Sequence, residues 1–175
     1  MAKANRRRQY KLTNAVTRVE DDVRAILAKR QATRYFEAII LMYSLIENVL
    51  KWLAFVKIAW DKSERLIPQR EWESLKQFCN QQDFHGALNL ALVTGLIKHR
   101  LFRQIDQVRG ERNNLVHQCY LFTHRRNSRV PRAKLERLVR IADELFKIFN
   151  ALVVETGADD SYSIFTVRKS RQLLI

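Results

Sequence analysis

Apolar side chains recur at helical spacing along most of the chain. The segment from about Thr33 to Ile58 is apolar on more than one face, as in a helix that others surround. An earlier stripe alternates spacings of four and three residues, with Arg and Glu on the opposite side: Leu12, Val16, Val19, Val23 and Ile26. The pattern therefore predicts an amphipathic first helix and a long central second helix.

Helix start and stop signals predict the remaining helices. Pro68 suits the first turn of a third helix over Gln69 to Cys79. The next helix runs from Asp83 to Thr94, and Gly95 after it is typical of a left-handed cap. Pro131 opens the last long helix. The fifth helix, which precedes it, has the apolar stripe Leu101, Ile105, Val108, Leu115 and Cys119.

Length and composition favour one helical domain. The chain has 175 residues, enough for a single sizeable core, and only 4 Gly and 2 Pro, too few for the turns of a sandwich or barrel. We expect an all-α, antiparallel helical bundle over residues 1–155. Residues 156–175 are predicted to be a tail that pairs as short strands or contacts a dimer or other partner.

The balance of charge points to polyanionic partners. Lys and Arg total 32 against 18 Asp and Glu, a net charge of +14, which suits RNA, DNA, an acidic protein or an anionic membrane surface. The uncharged run Ala38 to Ile46 is too short to span a bilayer of about 30 Å, and no signal peptide is visible. Cys79 and Cys119 make neither a disulfide framework nor a metal site. We expect a cytoplasmic protein with no membrane contact, metal or cofactor.

An arginine interrupts the apolar stripe of the fifth helix. Arg112 falls on the side that an ideal helix would bury. A buried guanidinium needs a partner, since an unpaired buried charge is costly. Arg112 is therefore predicted to meet a carboxylate inside the bundle, with Glu47 of the second helix as the candidate, or to face an interface where a phosphate binds.

A histidine follows five residues later. His117 can give or take a proton near pH 7, and Asn113 lies one turn before it on the same face. On a straight helix, however, positions 112 and 117 are separated by about 140° around the axis. A bend near Gly110, or a second subunit, is needed to bring Arg112 and His117 together.

The segment around these residues resembles a known signature. Gly110-Glu111-Arg112-Asn113-Asn114-Leu115-Val116-His117 is similar to the Arg-Asn-x-x-x-His signature of the HEPN superfamily, and most like its toxin branch, which reads Gly-x-Arg-Asn-x-Leu-Val-His. The segments 92–97 and 43–51 are also similar to that branch. The resemblance covers a core of roughly residues 33–152.

The resemblance implies a dimeric bundle in which two Arg/His pairs line one cleft. It implies metal-independent endoribonuclease activity, in which a 2′-hydroxyl attacks its own phosphate and leaves 2′,3′-cyclic phosphate and 5′-hydroxyl ends. His117 would move the proton, Arg112 would stabilise the phosphate charge, Asn113 would orient either group, and Glu47 would support Arg112. Such a protein is expected to be a toxin or defence effector with a possible antitoxin or regulatory protein. At Cys119 the chain lacks the tyrosine that a partner nucleotidyltransferase can modify in that branch.

Two alternatives to the nuclease remain. One is a non-catalytic basic module that binds RNA or DNA, and the other is a dimeric scaffold that contacts a partner through the tail. In both the nuclease and the binding module, a basic cluster directly after the motif helix is predicted to contact RNA: Arg125, Arg126, Arg129 and Arg132.

Overall fold

The described part of the chain is entirely helical. The computed structural model describes residues 12–30, 34–61, 68–117 and 132–156, with side-chain surroundings from residue 18 onward and, in the fifth helix, up to residue 114. No strand occurs in these ranges, so the all-α prediction is confirmed. The helices are α1 (Leu12–Ala28), α2 (Tyr35–Asp61), α3 (Gln69–Gln81), α4 (Phe84–Val93), α5 (His99–His117) and α6 (Arg132–Thr156).

The second helix is the centre of the bundle. α2 contacts each of the other five described helices, and 14 of its 27 residues are buried. By length and composition alone α2 could cross a membrane, but 67% of its most apolar stretch is buried inside the bundle. Packing on several sides therefore accounts for the helix being apolar on more than one face.

The flanking helices supply one continuous core. α1 contributes Val23 and Ile26, which are 0% and 1% exposed, so the core extends to residues before position 33. α6 lies along α2, where the rings of Phe149 and Trp52 have centroids 4.5 Å apart. These side chains form part of the apolar burial that stabilises the bundle.

The turns before α5 follow the signals in the sequence. Asp83 caps α4, and its carboxylate accepts a hydrogen bond of 2.7 Å from the Gly86 amide. Gly95 ends the turn after α4 with a φ of +72°, the left-handed conformation that was predicted for it. Pro68 immediately precedes α3 as its N-cap residue.

The fifth helix is held by its apolar row and carries the motif at its end. Leu101, Ile105 and Val108 are buried against the core, as their spacing predicts. α5 contacts α4, α6 and α2, which places its C-terminal turns beside the middle of α2. Cys119, Pro131 and the tail from residue 157 lie outside the described residues.

Candidate functional site at the junction of α2, α5 and α6

Arg112 continues the core-facing row of α5 and meets a carboxylate there. Its Nη2 atom lies 3.8 Å from Oε2 of Glu47, which confirms the pairing expected from the sequence. The Arg112 side chain is 36% exposed, so it is partly accessible from outside the bundle. At 3.8 Å the contact is an ion pair rather than a hydrogen bond. Arg112 is thus oriented by Glu47, and among the described residues no hydrogen bond engages its N–H groups, so they can bind an anion.

Glu47 is shared between two cations. Its Oε1 atom accepts a hydrogen bond of 2.8 Å from the ammonium of Lys51, one turn later on α2. The side chains of Glu47 and Lys51 are only 19% and 15% exposed. One carboxylate between Arg112 and Lys51 leaves a surplus positive charge, which favours a phosphate at this edge of the bundle.

A second ionic cluster joins α5 to α6 beside the first. Glu111 pairs with Lys134 at 3.1 Å and with Arg137 at 3.2 Å. Arg137 also donates a hydrogen bond of 2.6 Å to the side-chain oxygen of Gln107. These contacts fix the C-terminal half of α5 against α6, and they add a further surplus cation close to Arg112.

The hydroxyl of Tyr43 lies buried among these charges. Tyr43 is 1% exposed, and among the described residues its hydroxyl has no hydrogen-bond partner. The pKa of Tyr43 is raised to about 12, chiefly by burial and also by the charge of Glu111, while Arg112 and Arg137 oppose the shift. Tyr43 is therefore neutral at physiological pH and is not a proton acceptor for chemistry.

The two halves of the motif face different directions. α5 continues without interruption from His99 through Gly110 to His117, so positions 112 and 117 remain separated by about 140° around its axis. Asn113 is exposed on the face next to that of position 117. The imidazole of His117 lies outside the described side chains. α5 is therefore not interrupted at Gly110, and helical periodicity within one copy does not bring the two positions together.

Most of the predicted RNA-contacting cluster falls outside the described residues. This applies to Arg125, Arg126 and Arg129. Arg132 begins α6, is 48% exposed, and pairs with Glu136 at 2.6 Å. An exposed pair one turn apart contributes little to stability, so it leaves Arg132 available to a phosphate.

Several residues of the junction were not singled out from the sequence. Lys51 had a visible signal, since it follows Glu47 by four residues on a helix. Lys134 and Arg137 had none, because their contacts with Glu111 depend on how α5 and α6 pack. Tyr43 was taken only as part of the apolar face of the second helix.

The described residues offer no cluster of three or more His, Cys, Asp or Glu side chains that could hold a metal ion. In comparisons with known proteins, no family model matches the chain, and neither a curated protein nor a solved structure matches it.

The Glu47–Arg112 pair is expected to contribute a small but measurable coupling. In a double-mutant cycle of Glu47→Gln and Arg112→Gln, urea unfolding should give a coupling free energy of about 0.5 to 1 kcal/mol, because the pair is only partly screened by water. The exposed Lys57–Asp61 pair on the same helix is the control, with a coupling near zero. Equal couplings for the two pairs would show that Glu47 does not hold Arg112.

Stability should fall at high pH in a manner that depends on Tyr43. The folded-state pKa of about 12 lies above the ordinary value of 10, so the neutral phenol stabilises the fold below pH 10 and this contribution is lost as the pH rises towards 12. The free energy of unfolding is measured with urea at pH 8 and at pH 11. From pH 8 to pH 11 it should fall less in Tyr43→Phe than in wild type. Cys79, whose burial raises its pKa to about 11, titrates in both proteins and cancels. An identical loss in wild type and variant would contradict the shifted pKa.

Proposed function

We propose that this protein is a metal-independent endoribonuclease of the HEPN type that acts as a dimer. The observation that carries the proposal is the position of Arg112, on the core-facing row of α5 yet at the bundle edge and paired with Glu47. A guanidinium held in this way on the helix that also contains position 117 suits the stabilisation of a phosphate. The resemblance of residues 110–117 to the HEPN signature, and the net charge of +14, agree with an RNA substrate.

The proposed chemistry needs only a base, an acid and a cation. The 2′-hydroxyl loses its proton to His117 and its oxygen attacks the adjacent phosphorus, while the bond from phosphorus to the 5′-oxygen breaks. A protonated imidazole returns a proton to that leaving oxygen, which gives the 2′,3′-cyclic phosphate and the 5′-hydroxyl. Arg112 stabilises the negative charge that develops on the phosphate oxygens, and Asn113 orients His117 or the phosphate.

The dimer follows from the separation of positions 112 and 117. Since α5 is one continuous helix through the motif, Arg112 of one copy acts together with His117 of a second copy in the proposed site. A toxin or defence effector, with its activity held in check by an antitoxin or regulatory protein, is the biological role that fits this activity. The cytoplasm is the compartment in which such an enzyme would meet cellular RNA.

A basic module that binds RNA without cutting it is the second candidate. The surplus of 14 positive charges favours it as strongly as it favours the nuclease, because phosphate binding needs no histidine. A scaffold that uses the tail would instead be insensitive to moderate salt. Salt dependence of RNA binding therefore separates the scaffold from the other two, and cleavage separates the nuclease from the binding module.

Purified protein is expected to cut mixed RNA in EDTA and to leave cyclic phosphate ends, whereas Arg112→Ala and His117→Ala should lower the rate at least about a hundredfold. DNA of the same sequence should stay intact, since it lacks the attacking hydroxyl. Arg70→Ala and His85→Ala are matched controls, because both residues are exposed on other helices, α3 and α4. Loss of cleavage in the controls as well, or equal cleavage by all variants, would refute the assignment of Arg112 and His117.

Mixing the two inactive variants tests the shared site. If Arg112 and His117 come from different copies, a heterodimer of Arg112→Ala and His117→Ala contains one intact site. Random exchange of equal amounts then restores about a quarter of the wild-type activity, since half of the dimers are mixed and each has one working site of two. Wild-type specific activity should also fall on dilution together with dimer content. No recovery in a mixture with demonstrated exchange would place both residues in one copy.

A further inference from the structure

The outward face of α5 is basic before it reaches the motif. Lys98, Arg100 and Arg103 are exposed at the start of the helix, and no described acidic side chain pairs with any of them. The nearest acid along α5 is Asp106, which Arg109 engages at 2.9 Å. No described carboxylate therefore compensates the charges of these three residues, and their cationic groups can bind an anion from outside the chain.

Gly110 lies on the same face, and nothing within the described chain requires a glycine there. Its backbone is helical, and among the described residues only Gly95 and Arg30 have positive φ. A Cβ atom added at position 110 would meet no atom within 4 Å, so internal packing does not exclude a side chain either. Glycine is among the weakest helix formers. Gly110 in an exposed helix interior thus lets a bound molecule approach the α5 backbone closely.

Arg103, Gly110 and position 117 form one line along α5. They are spaced by seven residues, which on an α-helix returns to nearly the same direction, with a drift of about 20° at each step. The line is about 21 Å long at a rise of 1.5 Å per residue. Several nucleotides of single-stranded RNA can follow such a line from the basic end to the backbone position of His117.

We propose that the outward face of α5 binds the phosphate backbone of the RNA strand that leads to the cleavage point. Arg103 and Arg100 contact phosphates about 21 and 26 Å along the helix from position 117. Gly110 lets the RNA strand pass close to the helix between these arginines and position 117. Cleavage at His117 rests on the proposed function, but the binding of RNA to this surface does not depend on cleavage.

From Lys98 to Gly110 the composition of this face favours RNA over a second copy of the chain, which the proposed shared site needs only at position 117. The large apolar side chains that are exposed in the described residues lie on other helices: Leu41 on α2, Phe78 on α3 and Val93 on α4. A stable dimer interface has an apolar centre depleted of charged residues. Three uncompensated cations and a bare glycine provide no such centre, whereas their charge is complementary to a phosphate backbone.

The binding test uses a fluorescent single-stranded RNA that is 2′-O-methylated throughout and so cannot be cut. Anisotropy is measured for wild type, for Arg100→Gln with Arg103→Gln, and for Arg18→Gln with Arg70→Gln, a control pair exposed on α1 and α3. Loss of two phosphate contacts should weaken binding about tenfold near 0.1 M salt and reduce the slope of log affinity against log salt by about 1.4. Equal affinities and slopes for the two double variants would overturn the proposal.

Gly110→Gln tests the passage of the strand. This variant should melt at the same or a higher temperature than wild type, because glutamine is the better helix former, yet bind the methylated RNA several-fold more weakly. Light scattering should show unchanged dimer content. Unchanged RNA binding, or a loss of dimer in place of RNA binding, would refute the role of this face.

The two proposals fail separately. Absence of cleavage, together with the expected loss of binding in the Arg100/Arg103 variant, would reject the nuclease and retain the RNA surface. Normal cleavage, together with unchanged binding in that variant, would reject the surface and retain the nuclease.

Discussion

Burial of α2 against the other described helices is the interaction on which the rest of this structure depends. Apolar side chains cover more than one face of α2, and the surrounding helices remove most of them from water. This burial determines where α5 can lie, and therefore where its last turns meet α2. Glu47, near the middle of α2, pairs with α5 at the turn where Arg112 interrupts the apolar row, and it also binds Lys51 one turn later on α2.

The junction of α2, α5 and α6 combines partly buried charges with an excess of cations. Glu47 and Glu111 each face two cations, so neither carboxylate neutralises its surroundings. Such an arrangement holds side chains in place and still attracts an anion, since the desolvated cations are not fully compensated. The hydroxyl of Tyr43, buried beneath it, has no hydrogen-bond partner among the described residues, and an unpaired buried polar group costs stability.

The two faces of α5 have different roles in the proposed enzyme. The inward face places Arg112 against Glu47, while the outward face presents cations, an open backbone at Gly110 and the position of His117. Helical periodicity keeps these faces apart, so the proposed catalytic pair needs two copies while the proposed RNA track needs only one. The same periodicity gives an extended surface along which a strand can be aligned.

Local patterns in the sequence determined the helices and the anomaly within them. The spacing of apolar residues, together with helix start and stop signals, placed all six described helices, and the stripe of α5 identified Arg112 as a charge on a buried row. Such features depend on residues within a few turns of one another, which share a face by helix periodicity. Only the tertiary structure decided that Glu111 would pair with Lys134 and Arg137, and that the hydroxyl of Tyr43 would be buried beneath them without a hydrogen-bond partner among the described residues. Contacts between helices depend on the order and angle of packing, which periodicity along one helix does not encode.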